Sequence, residues 1–357
     1  MIYLLLFGGL FMGWSLGSND AANAFGTAVG TGMVKWRTAT IIIAVMVLIG
    51  AFLQGSGNID SVFELSASNE VTASLDDVQA AIANNAAEEL KLKSALKACI
   101  IFVASAATVF LMTFLGFPVS ANQSITGAII GWGLCYANYA DPAIQAINLP
   151  QIGKFVSTWL LNPLGAGIIS FVLVKLTHKF LTNTLGKMKN YKKALMLAYI
   201  IAGGFSAYSI GMNSSANVTA LYFDGFFGQT GVAANIFTDA TLTAVVGAAA
   251  IAVGVLTYSK KVMMTVGHSI AEIDEIEGFL CIVGSALTIV LMGTFMGIPV
   301  STSQAMVGAV MGAGLTHGVK HVNFGVMKNI GLAWLGSPTI AGVITYIIGL
   351  ITKGYFG

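Results

Sequence analysis

"FPVSANQSITGAIIGWGL", residues 117–134, recurs as "IPVSTSQAMVGAVMGAGL", residues 298–315. Each copy opens on a Pro-Val-Ser turn set inside an apolar stretch. Proline ends the helix before it and suits the first turn of the helix after it, so each copy reads as a broken helix. Two further pairs keep the same order along the chain. "GSNDAANAFGTA" (17–28) returns, more weakly, as "GMNSSANVTALY" (211–222), and "WLLNPLGAGIISFVL" (159–173) returns as "WLGSPTIAGVITYII" (334–348). The chain is therefore an internal duplication whose repeats coincide with its polar interruptions.

The medium follows from composition. Of 357 residues, 56% are hydrophobic and 9% charged, against roughly 25% charged in soluble domains. Mean hydropathy is +0.83. Ten apolar stretches (1–17, 38–55, 95–115, 119–136, 152–176, 194–212, 241–258, 279–296, 300–315 and 330–351) match the ~20 residues that cross a bilayer as a helix. They are continuous and not alternating, which excludes a β-barrel. Residues 1–16 lack a basic leader and a small-residue cleavage site, so they read as the first helix and not a signal peptide. A net charge of +2 gives no reason to expect nucleic acid as a partner. Three scattered cysteines (Cys99, Cys135, Cys281) form neither a disulfide framework nor a metal motif.

Charge orients the chain. Segment 58–93 holds seven acids against Lys91 and Lys93, whereas 177–193 holds five lysines and no acid. Basic loops stay cytoplasmic, which puts 177–193 inside, both termini outside, and Lys35, Arg37, Lys260, Lys261, Lys320 and Lys328 inside. Five crossings precede the linker and five follow it, so repeats 1–176 and 194–357 face opposite ways across linker 177–193. The expected fold is an all-α polytopic membrane protein. It comprises two inverted-topology repeats whose broken, re-entrant helices meet at the bilayer midplane, where such proteins bind their cargo.

The interruptions carry the chemistry. Asp20 is the one acid that falls deep in an apolar region; the others lie in polar segments or at span ends. Such a residue marks an ion pathway. Gly17, Gly26, Gly30 and Gly32 predict an unwound backbone with free carbonyls there. A carboxylate, amide oxygens and carbonyls suit a hard cation, Na⁺ or H⁺, at Asp20, Asn23, Asn213 and Asn217. The two Pro-Val-Ser helix starts suit an anion, because helix N-termini present unpaired N–H groups and partial positive charge. Ser120, Asn122, Gln123 and Ser124 in one copy, and Ser301, Thr302, Ser303 and Gln304 in the other, would complete its shell; helix capping alone is the competing reading. No Lys or Arg falls mid-span, and each helix end supplies only about half a charge. Cations travelling with the anion would close that deficit, which amounts to thermodynamic coupling.

These motifs together resemble the inorganic phosphate transporter (PiT) family over nearly the whole chain. The resemblance implies cotransport of inorganic phosphate with Na⁺ or H⁺ across the cytoplasmic (inner) membrane. It implies cation and anion roles for Asn19, Asp20, Asn23, Asn213 and Asn217, and anion contacts at the two Pro-Val-Ser helix starts. The chain departs from the family pattern at Ser214, where the second motif often carries Asp, and at Gln123 and Gln304, where the family carries His. Losing those imidazoles weakens a histidine-based proton route and favours Na⁺. A sulfate or other oxyanion permease of the same fold and an uncoupled anion channel are the alternatives. With no nucleophile–base pair and no zincin motif, the chain does not read as an enzyme and needs no cofactor beyond the cotransported cation. Inorganic phosphate, the coupling cation and the lipid bilayer are its expected partners, and a homodimer is compatible with the reading. His178, His268, His317 and His321 read as cytoplasmic loop residues, as does the acidic stretch 268–279. Residues 75–93 read as an outer solvated loop.

Overall fold

A computed structural model describes residues 2–58, 86–136, 149–180, 190–219, 239–296 and 300–356. The linker core at 181–189, the acidic stretch 59–85 and Pro299 lie outside the described residues. Ten long helices make up the described chain. They are α1 (Ile2–Gly30), α2 (Trp36–Gln54), α3 (Ala86–Leu115), α4 (Ala121–Tyr136) and α5 (Leu149–Phe180), then α6 (Tyr191–Ser214), α7 (Ala240–Tyr258), α8 (Glu275–Met296), α9 (Thr302–Leu315) and α10 (Phe324–Phe356). A single turn, Ala216–Thr219, follows α6, and a short helix, Lys260–Met264, follows α7 and runs into a π-helical turn, Thr265–Ser269. Among the described residues the only β feature is an isolated bridge between Ala271 and Val322.

Seven helices (α2, α3, α5, α6, α7, α8 and α10) are long and apolar enough to cross a membrane. Their outer faces expose large apolar side chains such as Leu160, Ile168, Leu335 and Ile351, as lipid contact requires. Helices α4 and α9 have 16 and 14 residues. At 1.5 Å per residue the described parts rise about 24 and 21 Å, and α4 is described only as far as Tyr136.

The structure corrects the expectation for 17–32. The backbone there does not unwind: α1 is one helix through Gly30, and only Gly32 takes a left-handed φ of 76°. Residues 15–28 of α1 are all buried, so this helix forms the centre of the bundle. The glycines serve close packing. A methyl on Gly17 would sit 1.9 Å from the Ile251 carbonyl oxygen of α7, and one on Gly254 of α7 would sit 2.0 Å from that of Trp14. The weaker copy does break, at Ser215 between α6 and the turn that follows.

The repeated motifs exchange partners reciprocally. Gly127 and Gly131 of α4 lie against the carbonyls of Pro338 and Gly342 on α10, while Gly308 and Gly312 of α9 lie against those of Pro163 and Gly167 on α5. In the same way Gly17 of α1 meets Ile251 of α7, and Gly211 of α6 meets Val47 of α2. Each G-x-x-x-G face lets two helix backbones approach, which is how membrane helices associate where lipid removes the hydrophobic drive. The two stretches of the duplication therefore interleave.

Gly312→Ala would place a methyl 2.0 Å from the Gly167 carbonyl oxygen, whereas Gly331 has open space. Overpacking of this kind costs about 1–3 kcal/mol. Thermal unfolding in detergent should show a clear loss for Gly312→Ala and none for Gly331→Ala.

Candidate functional site

Two helix starts converge on one stretch of α1. The first is the entry to α4. Helix α3 closes in a Schellman turn: Gly116 (φ 89°) donates its N–H to the Thr113 carbonyl and Phe117 to that of Met112. Asn19 of α1 grips the turn that follows. Its amide nitrogen donates to Thr113 Oγ1 (2.9 Å) and to the Phe117 carbonyl (3.0 Å), and its amide oxygen accepts the Val119 N–H (3.0 Å). Trp334 Nε1 donates to the Pro118 carbonyl (3.0 Å), and Lys261 Nζ donates to that of Phe114. Ser120 then caps α4, its Oγ accepting from the Gln123 N–H at 3.4 Å.

The second is the entry to α9, four residues further along α1 and so about 6 Å away along its axis. Ser301 caps α9, its Oγ accepting the Gln304 N–H at 3.2 Å. Asn162 of α5 donates to the Ser301 carbonyl at 2.6 Å. Asn23 Nδ2 donates to Thr302 Oγ1 and Ser303 Oγ, both at 2.9 Å, and lies 3.3 Å from Asp20 Oδ1. Ser303 Oγ donates to Asp20 Oδ1 at 3.1 Å. The acid read as a cation ligand and the hydroxyls read as anion contacts thus form one network.

Burial makes this network expensive. Asp20 is 5% exposed and Asn23 2%, and Asp20 makes no ion pair among the described residues. A buried carboxylate without a countercharge is costly. One hydroxyl, one amide and the partial positive charge at the start of α9 offset only part of that cost. Several buried polar atoms around the two helix starts also have no hydrogen-bond partner. They are Asn23 Oδ1, Gln123 Oε1, Ser124 Oγ, Asn162 Oδ1 and both side-chain polar atoms of Gln304. Native interiors tolerate few such atoms unless a water, ion or ligand completes them. Four of the six are amide acceptor oxygens, so the surroundings of the helix starts can accept protons or coordinate a hard cation as well as donate.

The sequence-derived residues divide as follows. Asp20, Asn23, Thr302 and Ser303 are in direct contact. Gln304 is buried one residue beyond Ser303, and Gln123 and Ser124 lie buried in the first turn of α4. Ser120 and Ser301 cap their helices, so the competing structural reading describes their hydroxyls. Asn122 is half-buried beside them. Asn19 holds the α4 entry with both ends of its amide. Asn213 lies in the last turn of α6 and is not a hydrogen-bond partner of Asp20. The Asn217 side chain lies outside the described residues. Asn162 was missed by the motif reading. Its signal was present in the repeat, where Asn-Pro at 162–163 aligns with Ser-Pro at 337–338, and the Ser337 hydroxyl is likewise buried without a partner.

The phosphate transporter family model matches residues 16–345. A candidate phosphate permease of Pyrococcus furiosus is 29% identical, over 98% of this chain and 95% of its own length. A sulfate permease of Bacillus subtilis is 27% identical, over 95% of this chain and 84% of its own. A solved structure described as a sodium-dependent phosphate transporter shares the fold with a TM-score of 0.71 at 23% identity, covering 99% of this chain and 98% of that one. With the match extending from the first polar motif on α1 to the middle of α10, the chain is a multi-pass membrane protein of the phosphate transporter family, a family of transporters and not of enzymes.

Proposed function

We propose that this protein is a symporter that moves inorganic phosphate together with Na⁺ across the cytoplasmic membrane, with both termini outside. The observation that carries the reading is the contact between Asp20, Asn23 and the first turn of α9. An anion placed at that turn gains its N–H groups and hydroxyls but faces the Asp20 carboxylate. A cation on Asp20 and the unpaired Asn23 oxygen removes the repulsion, so each ligand raises the affinity of the other. The likeness in fold to a protein described as sodium-dependent agrees with this choice of cation.

The acceptor oxygens favour phosphate over sulfate. Inorganic phosphate near neutral pH carries a P–OH donor that can pair with an unpaired amide oxygen at the helix starts, such as that of Asn162 or Gln304, whereas sulfate at neutral pH has no proton to give. A site whose buried acceptors are left unpaired rejects the ligand that lacks the donor. The B. subtilis relative named for sulfate makes this the alternative to test. The reciprocal packing of α4 on α10 and α9 on α5 supports two inverted repeats, 1–176 and 194–357, that rock against each other around the α1 network. Asn19 acts here as a positioning residue for α4.

Radiolabelled phosphate uptake into proteoliposomes tests the scheme. An inward Na⁺ gradient should stimulate uptake over a choline control, and excess sulfate should compete poorly. Uptake that ignores the gradient would leave the channel reading. Asp20→Asn should remove the Na⁺ stimulation, and retained stimulation would reject the cation assignment. Ser303→Ala should weaken phosphate affinity, while Ser301→Ala should act mainly on stability, by the ~1 kcal/mol of a lost helix cap. Asn19→Ala leaves the buried Val119 N–H without its partner; it should lower the unfolding temperature, at about 1–3 kcal/mol.

A further inference from the structure

A second cluster of ionisable side chains lies where α5 ends and α8 begins, away from the α1 network. Glu277 is fully buried in the first turn of α8. It forms a reciprocal cap with Asp274. The Asp274 N–H donates to Glu277 Oε2 (2.9 Å), and Asp274 Oδ1 accepts the N–H groups of Ile276 and Glu277 (both 2.8 Å). Each carboxylate is thereby oriented through one oxygen, leaving the other to point elsewhere. Glu277 Oε1 faces two imidazoles. His178 Nε2, from the last turn of α5, lies 3.1 Å away, and His317 Nε2, just past the end of α9, lies 2.6 Å away. His178, Asp274 and Glu277 each present a ligand atom within 4.8 Å of the others.

Among the described residues, the neighbouring cations are engaged elsewhere. Lys192 is paired with Glu275, and Lys175 donates to the Thr316 carbonyl. His321 is taken by Glu272 at 3.1 Å. Two carboxylates therefore meet imidazoles, and the C-terminal ends of α5 and α9 add partial negative charge. A buried carboxylate in such a field is stabilised by a cation. One imidazole nitrogen with carboxylate oxygens is a donor set for zinc-class ions, whereas Ca²⁺ and Mg²⁺ take oxygen throughout.

We propose that His178 Nε2, Glu277 Oε1 and the Asp274 carboxylate bind a divalent transition cation of the zinc class, with water in the fourth position. His317 donates to Glu277 Oε1 and positions it, as outer groups do for ligating carboxylates. Two atoms each ~2.0 Å from a shared tetrahedral ion stand about 3.3 Å apart, close to the 3.1 Å between His178 Nε2 and Glu277 Oε1. His178 is 37% exposed on its side chain and gives the ion a route in. The bound ion ties α5 to α8 and, through His317, to α9. These helices reach the far site as well: α5 carries Asn162, which holds the Ser301 carbonyl, and α9 carries Thr302 and Ser303 on Asn23.

The test is a Zn²⁺ titration of the full, metal-stripped chain in detergent at neutral pH, followed by calorimetry and by thermal unfolding. One Zn²⁺ should bind per chain and raise the unfolding temperature. His178→Ala should weaken binding at least about tenfold and abolish the thermal shift. Asp274→Asn keeps the cap but removes a ligand charge, and should weaken binding likewise. His321→Ala should bind as the native chain does. Affinity unchanged in His178→Ala, or no saturable binding to the native chain at sub-millimolar Zn²⁺, would overturn the site. Unfolding curves without metal confirm that each variant is folded, and none of these readouts depends on transport.

Discussion

A carboxylate sits in the buried stretch of α1 with no basic residue paired to it among the described residues, and the rest of the site is arranged around that fact. Asp20 is held by a hydroxyl and an amide, and that hydroxyl belongs to the first turn of α9. The electrostatic need of α1 and the open N–H groups of α9 are therefore met at one place. Because the dielectric is low, partial charges from a helix end and from hydroxyl dipoles count there for more than they would in water. They still fall short of a full compensating charge, and under the proposed function cation and anion each become a condition for holding the other.

Such a helix can lie at the centre only if its neighbours approach closely. Gly17 and Gly254 let α1 and α7 touch backbone to backbone, and the paired glycines of α4 and α9 do the same against α10 and α5. The partners in each pair come from different copies of the duplication. Asn19 reaches the α4 entry in its own copy, while Asn23 reaches α9 in the other. A single helix face therefore contacts the helix starts that follow both Pro-Val-Ser turns.

How far the site was legible depended on how local its signals were. Asp20, Asn23, Thr302 and Ser303 stood out because polar side chains are rare in apolar runs, and the structure puts them in contact. The unwound backbone expected at 17–32 failed for a specific reason. Glycine in a membrane helix signals either a break or a close approach, and only the facing α7 carbonyls distinguish the two. Asn162 lacked a run of polar neighbours and was passed over. The stretch 268–279 read as a solvated acidic loop, yet Glu277 is fully buried, because the ends of α5 and α9 close over it. His178 and Glu277 are 99 positions apart, and no local pattern joins them.

The sequence by itself determined the medium, the helical class, the duplication and the short list of polar residues at its interruptions. Those follow from hydropathy, from the hydrogen-bonding demands of a backbone in lipid, and from proline and glycine chemistry, all of which act over a few residues. Tertiary structure decided the pairing: that α1 stays helical, that Asp20 meets the start of α9, that Asn19 serves a turn, and that His178, His317 and Glu277 share one carboxylate oxygen. Those outcomes depend on which backbones can approach within a glycine's width, a property of two distant segments at once and so of neither segment's sequence alone.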